Sequence, residues 1–346
     1  MMTPAQARCE QTTLKADGVK VFRLKVDTPS TDALKRIQPG RHIAILYPDL
    51  SGQQQRRLYS IVRKEGHDTF EIAVKKSGNQ GMSDSLHSTL KEGSLIWVEY
   101  AAGNITVASI KGARHVLMAA AGIGITLPMA LLNELTRMDM SGQRVPNVKL
   151  ILSVPHVANI PFLHELIQLS LTRAWFTFEA YITREPVART EIFRPGRPEG
   201  MDYLLASSPE AVVICGGHGF ANTLRHTING LYPDAELFIE AFTTPVASTT
   251  VAPAADRPTL RLAGTDLVIS ASPAKSILDN LEENGMAVKS QCRSGICGSC
   301  RIKAAGKIRS EPDFCLDDRD KAQGYALACC AFPQSGEIEV DLEITH

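Results

Sequence analysis

The chain has 346 residues and a mass of 37.6 kDa, more than one hydrophobic core ordinarily serves, so two or three domains are expected. Its 37 Lys and Arg residues balance 37 Asp and Glu residues, which excludes a global field that would draw in nucleic acid or an anionic membrane. No stretch reaches the roughly 18 uninterrupted apolar residues of a membrane span. The opening MMTPAQARCEQTTLKADGVK lacks an apolar signal core, so a cytoplasmic chain with no membrane or nucleic-acid partner is expected.

Residues 1–110 carry short alternating runs, VKVFRLKV, RHIAILY, TFEIAVK and SLIWVEY, separated by turns containing Gly, Pro and Asp. Period-two alternation of this kind predicts a small antiparallel barrel or sandwich. Within QRRLYSIV, Arg57 and Tyr59 are two apart and so share one strand face, followed by Ser60. They pair a cation for a phosphate with a ring able to stack on a flat conjugated ligand, although an ordinary half-exposed strand with a packed tyrosine looks the same.

From 111 to 242 the texture changes. Apolar runs HVLMAAA, VKLILSV, FTFEAYI and AVVICGG alternate with helical stretches PMALLNELTRM, PFLHELIQLSL and FANTLRHTING, a pattern that predicts a parallel sheet with helices on both faces. In MAAAGIGITLPMALL, Gly122 and Gly124 follow a strand and open a helix, where free amides and the helix dipole favour a pyrophosphate. In VVICGGHGFANTL, Cys215, Gly216 and Gly217 close another strand, at the strand end where open α/β sheets bind ligands.

Residues 243–256, TTPVASTTVAPAAD, have no periodicity and predict a linker. Beyond them, TLRLAGTDLVISAS suggests a hairpin, AKSILDNLEENG a helix ended by Gly285, and GEIEVDLEI a closing strand. Residues 257–346 therefore make a small α+β domain.

Six of the eight cysteines fall in the last 55 residues, which in a cytosolic chain favours metal or cofactor chemistry over disulfides. CRSGICGSC spaces Cys292, Cys297 and Cys300 four and then two residues apart, the spacing by which one loop wraps a plant-type [2Fe–2S] cluster. Gly295 and Gly298 suit such wrapping, because a close backbone approach and positive φ are easiest without a Cβ. Zinc ligands usually come as paired knuckles instead. A fourth ligand must come from LACCAFP, where Cys329 and Cys330 compete. Cys315, in the polar run SEPDFCLDDRD, has no partner motif and is expected to be a bystander. A cluster of this type moves single electrons at roughly −400 mV. Nicotinamide gives two at once, so a flavin is expected as the converter.

The C-terminal segment resembles the plant-type [2Fe–2S] ferredoxins, whose last ligand sits in a phrase like LTCxAYP. That resemblance places the fourth ligand at Cys329, with Cys330 on the other face of a strand. In chain order RLYS, GIGIT, CGGHGF and the cysteine loop resemble the ferredoxin reductase superfamily. The order flavin domain, NAD domain, ferredoxin domain is similar to the phthalate dioxygenase reductase family across essentially the whole chain. The resemblance implies three folds: an antiparallel β-barrel flavin domain at 1–110, an α/β parallel-sheet NAD(P)H domain at 111–242 and a β-grasp ferredoxin domain at 257–346.

It implies FMN in preference to FAD, held by Arg57, Tyr59, Ser60, the AVK strand (Ala73, Val74, Lys75) and the GMS turn (Gly81, Met82, Ser83). It further implies that Gly122, Gly124, Thr126 and Gly216 hold the nicotinamide cofactor, that Cys215 lines its pocket and that Phe242 shields the isoalloxazine ring. The cluster ligands would be Cys292, Cys297, Cys300 and Cys329, with Arg293, Ser294, Ile296 and Ser299 forming the surface met by a partner. Two differences stand out: Leu127 separates Thr126 from Pro128, and YAAGNITVA lacks the family's proline-rich phrase.

The activity implied is that of the reductase component of a two-component Rieske-type oxygenase. A reductase for a diiron monooxygenase is the neighbouring alternative, and a non-catalytic flavin and iron–sulfur redox-sensing module the more distant one. NADH is expected in preference to NADPH, because LSVPHVANIP offers no arginine for a 2′-phosphate, although Arg184 in YITREP could supply one.

Overall fold

A computed structural model describes residues 4–27, 37–242, 257–286, 288–290, 293, 295, 298–311 and 315–342. The expected linker, 243–256, lies outside them, as do Cys292, Ser294, Ile296 and Cys297. The chain divides into two compact units, 1–216 with 223–238 and 217–222 with 239–346.

In the first unit, strands β1 (Ala5–Ala16), β2 (Val19–Val26), β3 (His42–Pro48), β4 (Gln54–Glu65), β5 (Thr69–Lys75) and β6 (Leu95–Ala102) close a barrel in the order β1-β2-β5-β4-β3-β6. Every neighbouring pair is antiparallel. The alternation of β2 turns Phe22, Leu24 and Val26 into the barrel core, where they meet Ile43, Ile61, Phe70 and Ile72. Helix α1 (Met82–Thr89) packs Met82 and Leu86 into the same core.

Part of the other face of β2, β4 and β5 is also buried. Val19 and Val21 of β2, Val62 of β4 and Ala73 of β5 belong to the core of the second layer. This explains why VKVF, SIV and IAV read as nearly continuous apolar runs: strands covered on both faces have no solvent side to fill with polar residues.

That second layer is a sheet of β7 (His115–Ala121), β8 (Asn147–Val154), β9 (Phe176–Ile182), β10 (Phe193–Pro195), β11 (Ala211–Gly216) and β12 (Glu236–Ala241), in the order β10-β9-β8-β7-β11-β12. The pairs β10-β9, β9-β8, β8-β7 and β7-β11 are parallel. The single turn α2 (Val107–Ile110) precedes β7, and the helices α3 (Thr126–Met140), α4 (Leu163–Thr172) and α5 (His218–Leu231) follow β7, β8 and β11. Helix α3 buries Leu127, Leu131 and Leu135, four residues apart on one face. The chain runs outward from β7 through β10 and then returns to β11 on the opposite side of β7, so the strand order reverses between β7 and β11. Open α/β sheets bind ligands at that crevice.

The second unit contains β13 (Thr259–Leu262), β14 (Val268–Ser270), helix α6 (Ile277–Glu283), β15 (Arg301–Ser310), α7 (Asp318–Ala322), β16 (Tyr325–Leu327) and β17 (Ala331–Asp341). The sheet order is β14-β13-β17-β15-β16, with β13 and β17 parallel and the other pairs antiparallel. Ser276 caps α6 by accepting from Asp279 N–H, and Ile277, Leu278 and Leu281 enter a core that includes Cys300, Cys329 and Cys330. The multidomain architecture expected from the sequence is the one observed: antiparallel barrel, parallel sheet and α+β sheet. Among the described residues no helix is long and apolar enough to cross a membrane.

Candidate functional site

Strand β4 pairs with β3 so that Arg57 lies opposite Ile45 and Tyr59 opposite Ile43, which puts Arg57 and Tyr59 on one face and Ser60 on the other. Arg57 is exposed and donates from Nη1 to Arg56 O at 2.9 Å, while Ser60 is buried. Tyr59 Oη lies 3.3 Å from Ser83 Oγ in the first turn of α1, and burial pushes the Tyr59 phenol up from its ordinary range. RLYS and GMS, 21 residues apart in sequence from Ser60 to Gly81, thus meet at one end of the barrel.

The loop before α1 is organised by Asp84. Its Oδ1 accepts from the backbone N–H of Ser77 at 2.7 Å and of Gly78 at 3.0 Å, and its Oδ2 from that of Gln80 at 2.8 Å. Burial raises the Asp84 carboxyl, but these amides outweigh it and hold the group below the usual range. Asp84 immediately follows GMS, and an acid at that position is the sequence signal for this loop.

The pairing of β5 with β4 reaches Ile72, whereas Ala73, Val74 and Lys75 pair with Val21, Lys20 and Val19 of β2. Val74 O, at the edge beyond this pairing, accepts from His87 Nε2–H at 2.7 Å. Burial pushes the His87 imidazole down, keeping it neutral. Its folded pKa is therefore below its unfolded one, and the unfolded chain binds more protons in the window between them. Stability is fully present above about pH 6.5 and is lost as pH falls through that window. A His87→Gln variant is expected to show a shallower fall in melting temperature between about pH 7 and 5 than the parent. Parallel slopes in a melting series would refute this.

The glycine turn, residues Gly122–Ile125, joins β7 to α3 and lies against β5. Gly122 has φ +54 with open space around it, but a Cβ on Gly124 would stand 2.2 Å from Cys215 O and 3.0 Å from Gly216 Cα. The second glycine therefore lets the turn close onto the end of β11. Thr126 is 2% exposed and donates from Oγ1 to Ile123 O at 3.1 Å. The leucine between Thr126 and Pro128 fits a continuous helix: α3 starts at Thr126, and Pro128 falls in the first turn, where its missing N–H costs no hydrogen bond. The Cys215 side chain and Gly216 are buried at the end of β11. Phe242 follows β12 and is 38% exposed.

Beside the crevice, the ends of β8 and β9 are zipped together. Thr183 N donates to Val154 O at 2.9 Å and Arg184 N to Pro155 O at 2.9 Å. Glu185 Oε2 accepts from Val157 N at 3.0 Å and lies 3.5 Å from His156 Nδ1. Glu185 was not among the residues singled out from sequence, since its place is set by β8, almost 30 residues earlier.

In the second unit Cys300 Sγ and Cys329 Sγ are 3.3 Å apart, and both side chains are 3% exposed. Two thiolates bound at ~2.3 Å to one tetrahedral metal stand about 3.8 Å apart, so this pair fits two ligands of one iron with little movement. Ala328 N donates to Cys300 O at 2.9 Å, fixing one cysteine segment to the other. Gly295 and Gly298 have φ +76 and +69, the left-handed conformations expected of the loop, and Arg293 pairs with Asp279 and Glu282 of α6. Cys292 and Cys297 lie outside the described residues.

Two expectations change. Cys329 and Cys330 sit in a turn over residues 328–330, closed by Cys330 N donating to Leu327 O at 2.8 Å. Their sulfurs are 3.7 Å apart, not on opposite faces of a strand. Cys315 lies beside the cysteine loop, its Sγ 3.4 Å from where a Gly298 Cβ would be.

Comparison with known proteins bears on the domains that carry these residues. Residues 7–107 match the model of the oxidoreductase FAD-binding domain, and residues 260–334 match the 2Fe-2S iron-sulfur cluster binding domain. The chain is 24% identical over 353 residues to a glycine betaine monooxygenase reductase subunit of Pseudomonas aeruginosa, covering 96% of this chain and 94% of that protein. It is 24% identical over 327 residues to phthalate dioxygenase reductase of Burkholderia cepacia, covering 93% of each. The solved structure of phthalate dioxygenase reductase superposes with a TM-score of 0.60 at 20% identity, covering 98% of both chains. An intact type IV self-sufficient cytochrome P450 monooxygenase gives 0.66 at 18% identity, where 97% of this chain spans 41% of that one.

Fold, matched domains and relatives together define an NAD(P)H-dependent flavin and iron–sulfur oxidoreductase that works in electron transfer. The chain carries the flavin-binding and [2Fe–2S] domains of such reductases and is similar to phthalate dioxygenase reductase over nearly its whole length.

Proposed function

We propose that the chain is the reductase component of a two-component Rieske-type oxygenase, taking hydride from NADH onto FMN and passing single electrons through a [2Fe–2S] cluster to the oxygenase. The observation that carries this is the glycine turn at 122–125, packed on the end of β11 and lying against β5. It brings the expected nicotinamide-binding turn to the strand expected to hold the flavin. The relatives support an oxygenase partner, being named as a monooxygenase reductase subunit and a dioxygenase reductase.

Bound flavin would convert a two-electron hydride into one-electron steps. Arg57 takes the flavin phosphate, Tyr59 stacks on the ring with Ser83 orienting its hydroxyl, and Ser60 follows on the other face of β4. The edge at Ala73–Lys75, braced by His87, offers backbone groups to the ring's polar rim. The amides of Gly122, Gly124 and Gly216 face the dinucleotide, with Thr126 holding the turn and Cys215 the wall of the crevice. Phe242 shields the isoalloxazine. Cys292, Cys297, Cys300 and Cys329 hold the cluster, and the loop around Arg293, Ser294, Ile296 and Ser299 meets the partner. The domain limits follow: 1–110 for the flavin, 111–242 for the nucleotide, 243–256 as linker and 257–346 for the cluster.

Anaerobic titration tests this. Added NADH should bleach the flavin band and then reduce the cluster, and flavin released by acid should chromatograph as FMN. A preparation that NADH leaves unchanged defeats the reading, and release of FAD defeats its flavin assignment. Reconstitution against a Rieske and a diiron oxygenase distinguishes the partners.

The NADH preference rests on Glu185. A carboxylate beside the ends of β8 and β9 suits a ribose 2′-hydroxyl and repels a 2′-phosphate. Glu185→Gln is expected to narrow the ratio of kcat/KM for NADH over NADPH by about tenfold, the equivalent of ~1.4 kcal/mol. An unchanged ratio would remove Glu185 from this role.

A further inference from the structure

The spare thiol of the CC pair has a place that the electron path does not account for. Cys330 Sγ stands 3.7 Å from Cys329 Sγ, and Cys330 is 1% exposed, so water does not compete for its S–H. Its backbone is committed elsewhere, the N–H to Leu327 O at 2.8 Å and the carbonyl to Glu311 N at 2.8 Å. That fixes the direction of the side chain. Between two thiols either sulfur can donate. A metal-bound cysteine is a thiolate and accepts only, so once Cys329 is a ligand Cys330 becomes the donor. A backbone hydrogen bond from Gly295 reaches the same Cys329 sulfur.

We propose that Cys330 is a potential-setting residue, its S–H donating to the Cys329 sulfur and raising the reduction potential of the cluster. A donor stabilises the added negative charge of the reduced state more than that of the oxidised state, and hydrogen bonds to cluster sulfurs are among the features that set such potentials. The effect acts through Cys329, which makes Cys330 a positioning residue and not a ligand. It rests on the assignment of Cys329 as the fourth ligand.

The test uses the full chain as purified, with Cys330→Ala, Cys330→Ser and Cys329→Ala compared for iron and acid-labile sulfide content, electron paramagnetic resonance and spectroelectrochemical midpoint. Cys330→Ala should keep the cluster and lower its midpoint by up to ~59 mV, tenfold in the equilibrium of a one-electron couple. Cys330→Ser, which restores a hydroxyl donor, should return the midpoint to the parent value or above. An intact cluster with an unchanged midpoint in Cys330→Ala overturns the proposal, and so does loss of the cluster from both Cys330 variants. Loss in Cys330→Ala with retention in Cys329→Ala overturns the ligand assignment itself, an outcome that iron content alone distinguishes.

Discussion

Gly124→Ala is expected to lose about 3 kcal/mol or more of stability and to slow bleaching of the flavin by NADH, with Gly122→Ala losing only about 1–2 kcal/mol. The two glycines differ in what surrounds them. A methyl group at Gly124 would meet Cys215 O at 2.2 Å, Cys215 C at 2.7 Å and Gly216 Cα at 3.0 Å. All three are backbone atoms of a buried strand and cannot swing aside. Relief requires the turn to lift from β11, which also draws it away from β5 and moves the helix N-terminus proposed to face the dinucleotide. At Gly122 the cost is the positive φ alone, since nothing lies within 4 Å of the added carbon. Urea midpoints and anaerobic stopped-flow on the two variants measure both effects. Equal midpoints would show that the turn is not pinned at Gly124.

Much of this was legible beforehand because the signals are local. Alternation in VKVFRLKV marks two strand faces, and the change of texture near residue 112 marks the start of a parallel sheet. The four-then-two cysteine spacing marks the domain that matches the 2Fe-2S cluster binding model. What was not legible depends on neighbours far along the chain. Period two says that Val19 and Val21 face away from Phe22 and Leu24, but not that the outer face is buried under a second layer. The glycines of GIGIT suggest approach to a phosphate, yet Gly124 is fixed by a carbonyl 91 residues later, at Cys215. The fate of Cys330 turned on where β16 ends: a strand through Leu327–Ala331 would have separated the two thiols, and a turn brings them together.

Cys300→Ser is expected to remove the iron–sulfur chromophore while leaving flavin reduction by NADH at the parent rate. Changes outside the ligand shell alone cost roughly 10–100-fold in metal affinity or activity, so loss of a ligand sulfur should cut electron delivery to a one-electron protein acceptor such as cytochrome c by ~100-fold or more. The separation follows from the architecture. Arg57, Tyr59, the 122–125 turn and Cys215 lie in the unit formed by 1–216 with 223–238, whereas Cys300 lies in the other unit with its own core around Leu260, Leu281 and Ile338. Cys300 holds its place through Ala328 N–H and the neighbouring Cys329 sulfur, so a serine acts on the segments of its own unit. Iron content, NADH bleaching and cytochrome c reduction are read on the same preparation. Retention of the chromophore would remove Cys300 from the ligand set, and loss of NADH bleaching along with the chromophore would show that the two units do not act as separable modules.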